Sequence, residues 1–181
     1  MSELRTNRIV PRDGLPAGSS GGIIQVKSVT KTDAESLTSN STETLISGME
    51  VTITPTRADS KILIMVTLQA MSGASFAGHY AVLRRGSTSI CLGDAAGSRN
   101  RATFKFGAPS TYDQDQADWG PGNLSITHLD SPATTSAVTY GLYHADATGN
   151  NALYINRGTT DADNTQYERT ASSITVMEIS G

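Results

Sequence analysis

The residues best equipped to do chemistry in this chain are three histidines, two clusters of loop carboxylates, one cysteine and one tryptophan. His79, His128 and His144 are far apart, with no His-x-His pair and no cysteine at ligand spacing. A zinc site needs several nitrogen or sulfur ligands brought together, usually by such spacing, so no zinc is expected. The histidines read instead as ordinary surface or half-buried strand residues. DQDQAD carries Asp113, Asp115 and Asp118, and DADN carries Asp161 and Asp163 beside Asn164. Spaced carboxylates can wrap calcium, which takes roughly six to eight oxygens. Neither stretch follows the D-x-D-x-D-G frame or has its distal glutamate, so both read as solvated loops, and no metal or other cofactor is expected.

The chain has no G-x-S-x-G elbow, no H-E-x-x-H and no P-loop, and an enzyme is not expected. Cys91 is the single cysteine, which excludes an intrachain disulfide and reads as a small buried hydrophobe. TYDQDQADWGPG places Trp119 near Tyr112 among carboxylates and amides. That composition suits a sugar: the ring covers an apolar sugar face and the polar groups meet its hydroxyls. The alternative is a tryptophan folded back onto the edge of the domain. The candidate receptor- or glycan-binding residues are therefore Tyr112, Asp113, Asp115, Trp119, Asp161 and Asp163.

These loops need a scaffold, and the chain offers strands for it. GIIQVKSVTK, VTITP, HYAVLRRG, STSICLG, RATFKFG, LSITHLD, SAVTYGLYHAD, ALYINRG and SSITVMEI are short, β-rich and bounded by turn residues. In SAVTYGLYHAD, Val138, Tyr140 and Leu142 alternate; in RATFKFG, Ala102, Phe104 and Phe106 do. KILIMVTLQ is a continuous apolar run and reads as a central strand buried on both faces. KTDAESLTSNSTE and TTDADNTQYERTA read as polar loops, and no stretch keeps a helical period over ten residues. Roughly ten strands at this spacing predict an all-β fold, an antiparallel β-sandwich or jelly roll, over residues 23–181.

The 181 residues suit one such domain with an appendage. Charged residues make up 17%, below the usual quarter, and the net charge is −3, so nothing marks a nucleic-acid partner. Residues 1–22 lack the apolar core of a signal peptide, and KILIMV is too short to span a bilayer. The expectation is synthesis in a cytoplasm with no membrane insertion. Residues 1–22 hold Arg5, Arg8 and Arg12, Pro11 and Pro16, and one apolar pair, Ile9-Val10. They cannot bury themselves. Fully extended they reach on the order of 70 Å, and they read as an arm that orders on a partner. Ile9 and Val10 would fill a groove while Arg5, Arg8 and Arg12 meet carboxylates or carbonyls.

Several stretches together carry a resemblance: SELRTNRIVPRDG, GGIIQVKSVTKTD, SKILIMV, LRRGSTSICLGDAAGSR, LDSPATTSAVTYGL, ALYINRG and SSITVMEI. Over nearly the whole chain they resemble virion proteins of tailed phages of aquatic bacteria, including cyanophages, in which similar C-terminal domains cap tail fibres. The resemblance implies a trimeric β-sandwich head on a short arm, located in the virion and working as a tail-fibre or receptor-binding module. Its partners would be other virion proteins and, through the loops, host surface polysaccharide. No long shaft precedes the head, which leaves a capsid decoration or cement protein as the alternative. In that reading the arm would lie along capsid subunits.

Overall fold

A computed structural model describes residues 22–38, 41–73, 78–106, 121–148 and 152–181. In the long strands every second side chain faces the core. In β4 (Lys61–Ser72) Ile62, Ile64, Val66 and Leu68 are buried, and in β11 (Ser172–Ile179) Ile174 and Val176 are buried. In β9 (Val138–Asp146) Val138, Tyr140 and Leu142 point inward as the alternation predicts. The remaining strands are β1 (Ile23–Lys31), β2 (Glu35–Leu37), β3 (Thr44–Ile53), β5 (His79–Arg85), β6 (Thr88–Ile90), β7 (Phe104–Lys105), β8 (Gly122–Asp130) and β10 (Leu153–Ile155).

All pairings are antiparallel and form two sheets. In the first, β1 pairs with β11, β11 with β4, and β4 with β8 along its other edge. In the second, the order is β3-β9-β5, with β6 and β7 dividing the far edge of β5. The pairs are nested along the chain: β1 with β11, β2 with β10 in the same sheet, β3 with β9, β4 with β8, and β5 with β6 and β7. From these two outer pairs inward, successive pairs alternate between the sheets. A long antiparallel ribbon wound around a core in this way is a jelly roll.

Three sequence expectations are corrected. β4 is central but is not buried on both faces, because Met65 on its outer side is 43% exposed. The polar stretch after residue 31 contains β2, which pairs with β10. The strand in RATFKFG shrinks to Phe104–Lys105, although Phe104 and Phe106 do pack into the core. Residues 1–21 lie outside the described residues, and with them Arg5, Arg8, Ile9, Val10 and Arg12.

β10 and β11 line the same side of β4, like one strand interrupted by an excursion. β10 pairs with β4 at Ala70–Ser72 and β11 pairs with it at Lys61–Thr67. Between them residues 156–171 leave the sheet. Asn156 closes the gap. Its backbone N–H donates to the Gln69 carbonyl at 2.9 Å, while Gln69 N–H donates to Ser172 Oγ at 2.9 Å. Ser172 Oγ donates to Asn156 Oδ1 at 2.6 Å, and Asn156 Nδ2 donates to the Lys31 and Asp33 carbonyls at 2.9 and 3.0 Å. The buried side chain thus replaces the ladder bonds that the excursion removes.

Candidate functional site

The jelly roll has two poles, and its polar side chains gather at both. At the first pole β3 ends, β4 begins, and the β8–β9 connection turns. Here Arg85 Nη1 donates to both oxygens of Asp130 at 2.9 Å, and Tyr140 OH donates to Asp130 Oδ2 at 2.7 Å. Asp130 belongs to the first sheet and the other two to the second, so the carboxylate ties the layers together. Burial, then the hydrogen bond to Asp130, raises the Tyr140 hydroxyl above the usual phenol range. Beside this triad an open cleft of about 360 Å³ is lined by Arg85, Gly86, Pro132, Thr134 and neighbouring residues. Tyr140→Phe should cost about 1 kcal/mol, the net worth of one buried hydrogen bond, because Arg85 still holds Asp130. Urea unfolding midpoints of the two proteins measure it, and an unchanged midpoint would mean the hydroxyl contributes nothing.

At the second pole, where β5 begins and β9 ends, the core turns polar. His79, His144 and Asp146 are inward-facing and almost wholly buried. His79 Nδ1 lies 2.9 Å from His144 Nε2 and 3.9 Å from Asp146 Oδ2. Asp146 Oδ1 accepts from the Thr148 N–H at 2.9 Å and its hydroxyl at 2.8 Å. Burial pushes both histidines down; for His144 the neighbouring His79 adds to it and the value falls to about 4, against an opposing pull from Asp146. This corrects the reading of His79 and His144 as separate surface or half-buried strand residues. A signal was present: in SAVTYGLYHAD, His144 is in phase with Val138, Tyr140 and Leu142, so a polar ring was due in the core and needed a partner. His128 lies on β8, half-buried, opposite Ile64.

The predicted recognition residues divide. Tyr112, Asp113, Asp115 and Trp119 lie outside the described residues. The segment that carries them leaves from Phe106, whose N–H donates to the His79 carbonyl, and returns at β8, where Gly122 pairs with Ala70. Both anchors sit at the second pole. Asp161 and Asp163 lie in the 156–171 excursion and both are exposed. Asp161 is paired with Arg169, and Asn164 Oδ1 accepts from the Gln166 N–H at 3.2 Å, closing a turn beside Asp163. No cluster of three histidine, cysteine or carboxylate side chains able to hold a metal occurs among the described residues. Cys91 is a half-buried free thiol that packs against the core, its pKa raised by burial. No helix among the described residues is long and apolar enough to cross a membrane.

The outer faces of the two sheets differ in kind. On the second sheet Arg84 pairs with Glu43 and lies over the Tyr143 ring at 4.6 Å, and Glu50 is exposed. On the first sheet the described outward positions of β1, β11, β4 and β8 are apolar, hydroxyl-bearing or, at Gln69 and Asn123, amides, with Lys61 donating to Ser131 Oγ at 2.8 Å; at the β10 end Arg157 lies over the Tyr154 ring at 4.2 Å.

No protein-family model matches the chain, and no curated protein does. Among solved structures, the crystal structure of the infectious bursal disease virus VP2 subviral particle matches with a TM-score of 0.42 and 11% identity. The match covers 97% of this chain and 46% of that one, so the chain spans about half the length of this neighbour.

Proposed function

We propose that this chain is a non-enzymatic structural protein of a phage particle. It is a homotrimeric head that docks to other virion proteins through residues 1–22 and meets host surface polysaccharide through its loops, as a tail-fibre or receptor-binding module does. The observation that carries the reading is the bipolar layout. Gly22, from which the arm leads, accepts a hydrogen bond from Ser180 at the first pole. The anchors of the Trp119 segment sit at the second. A subunit held by its arm at one pole presents that segment at the other, and rigid β scaffolds commonly carry recognition on such loops. The particle itself enters through the resemblance of the sequence stretches, and three copies would raise weak sugar contacts to useful avidity.

Antibody raised to residues 44–181 should label intact particles at the tail or its appendages in electron micrographs. Label spread over the head would replace this placement by the decoration reading, and particles without label would overturn the virion role. Binding to host polysaccharide should fall roughly ten-fold or more in Trp119→Ala, the loss of about 1.4 kcal/mol of ring stacking. Equal binding by the two proteins would remove Trp119 from the site, and turnover of the polysaccharide by the wild type would overturn the non-enzymatic reading.

A further inference from the structure

Four large apolar side chains of the described residues are conspicuously exposed: Ile23 at 57%, Val26 at 50%, Met65 at 43% and Leu129 at 54%. All four fall on the outer face of the first sheet. The register explains why. Val26 pairs with Met177, Met177 with Leu63, and Leu63 with Leu129, so one apolar row crosses all four strands. A bulge between Ile23 and Gln25 shifts the count, so that Ile23, opposite Ile179, joins the face of Val26. Beyond this row the face continues with Met65 among serines and threonines.

We infer that this face packs against the same face of further copies of this chain. Three observations select that occupant. On β1, β11, β4 and β8 the described outward positions carry one cation, Lys61, and no carboxylate, and the next cation, Arg157, lies over Tyr154 at the β10 end of the sheet, so the row has little charge to select a charged partner or to repel its own copy. The opposite outer face bears Glu43, Glu50 and Arg84 and suits water. The size also fits: four strands of about nine residues, at ordinary strand spacing, give a footprint on the order of 600 Å², comparable to the ~800 Å² that each partner contributes to a standard interface. Turned toward a three-fold axis, the face meets the copies of itself in both neighbouring subunits, and the row is buried between all three. The inference deepens the oligomeric part of the reading above and rests on it there, while the virion role stands or falls separately.

The test uses the full chain. Sedimentation equilibrium at micromolar concentration should give a multiple of 19.0 kDa. Met65→Glu and Leu129→Glu should each drive the protein towards monomer, whereas Glu50→Lys, on the opposite outer face, should not. Because the substituted side chains are exposed in the single subunit, their circular dichroism melts should show intact folds. A second readout needs no variant: peroxide oxidation of Met65 should be at least several-fold slower in the concentrated oligomer than after dilution to monomer. A wild type sedimenting at 19.0 kDa overturns both the interface and the oligomer. An oligomer that survives both glutamate variants, or that leaves Met65 as reactive as in the monomer, overturns this interface and leaves the oligomer to another surface.

Discussion

Replacing Asn156 by alanine should cost this fold about 4 kcal/mol and lower its melting temperature by roughly 10 °C, although the residue stands in a loop. The estimate comes from what the side chain satisfies. Its amide donates to the Lys31 and Asp33 carbonyls, and its oxygen accepts from the Ser172 hydroxyl, which in turn accepts from the Gln69 N–H. Alanine leaves the buried Lys31 carbonyl and Ser172 hydroxyl, and the part-buried Asp33 carbonyl, without their partners, and each buried group costs about 1–3 kcal/mol. It also places a Cβ-bearing residue without a locally bonding side chain at φ +59°. Asparagine tolerates that conformation better than most residues, and alanine pays about 1 kcal/mol for it. Asn156→Gly separates the two effects: it loses the amide but not the backbone freedom, and should be about 1 kcal/mol less destabilised than Asn156→Ala. Urea unfolding of the three proteins decides the matter. A cost below about 1 kcal/mol for alanine would show that the strand break is held by something other than this amide. Equal costs for alanine and glycine would remove the backbone contribution.

The same residue shows where sequence reading stops. Strands β9 and β11 are legible because every second side chain meets the core and the alternation is written in SAVTYGLYHAD and SSITVMEI, whereas KILIMVTLQ is apolar on both sides and shows a strand without showing which side is covered. Alternation does not say which strands are neighbours. The nested order depends on contacts between β1 and β11, separated by most of the chain, and no local pattern encodes them. It also fails at irregularities. The bulge at Ile23 and Gln25 moves Ile23 onto the face of Val26, whereas strict alternation from GIIQVKSVTK puts Ile24 there. In HYAVLRRG the alternation is readable but its phase is not: Tyr80 and Val82 look like the core set, yet His79, Ala81 and Leu83 are the residues facing inward. Choosing that phase wrongly hides the polar cluster. The buried ends of β5 and β9 are adjacent only through the pairing of His79 with Asp146 and of Ala81 with His144, which a single sequence does not display.

That cluster predicts an acid-sensitive fold. A free histidine takes up its proton near pH 6.5, whereas His144 in the folded protein holds out to about 4, chiefly because burial penalises its charged form and then because His79 stands against it. His79 shifts in the same direction, by burial and by Lys105, with Asp146 opposing. Above pH 7 neither folded nor unfolded histidines are charged, and the cluster imposes no penalty. As the pH falls through 6.5 the unfolded chain binds protons that the folded one refuses, so stability drops. The loss continues until the folded rings also titrate. From His144 alone it should reach about 2–3 kcal/mol at pH 4.5. Glu178 acts lower in the scale. Burial pushes its carboxyl up, but hydrogen bonds from Gln25 and Thr56 outweigh this and hold it below the ordinary range, so its stabilisation is present above that range and is lost as the pH falls through its lowered folded value. The window between pH 6.5 and 4.5 therefore belongs mainly to the histidines. Urea midpoints across that window should fall steeply in the wild type and distinctly less in His144→Gln, with the two profiles converging as acidity rises. Parallel profiles would mean that the rings accept protons without loss, through rearrangement or water. The location of the loss is a further consequence. Amide exchange, corrected for its intrinsic pH dependence, should accelerate around His79 and Asp146 before it does around Tyr140. Acid would then loosen first the pole that anchors the Trp119 segment, because protonating His144 places a charge inside the buried cluster, whereas the Arg85–Asp130–Tyr140 triad at the other pole contains no histidine.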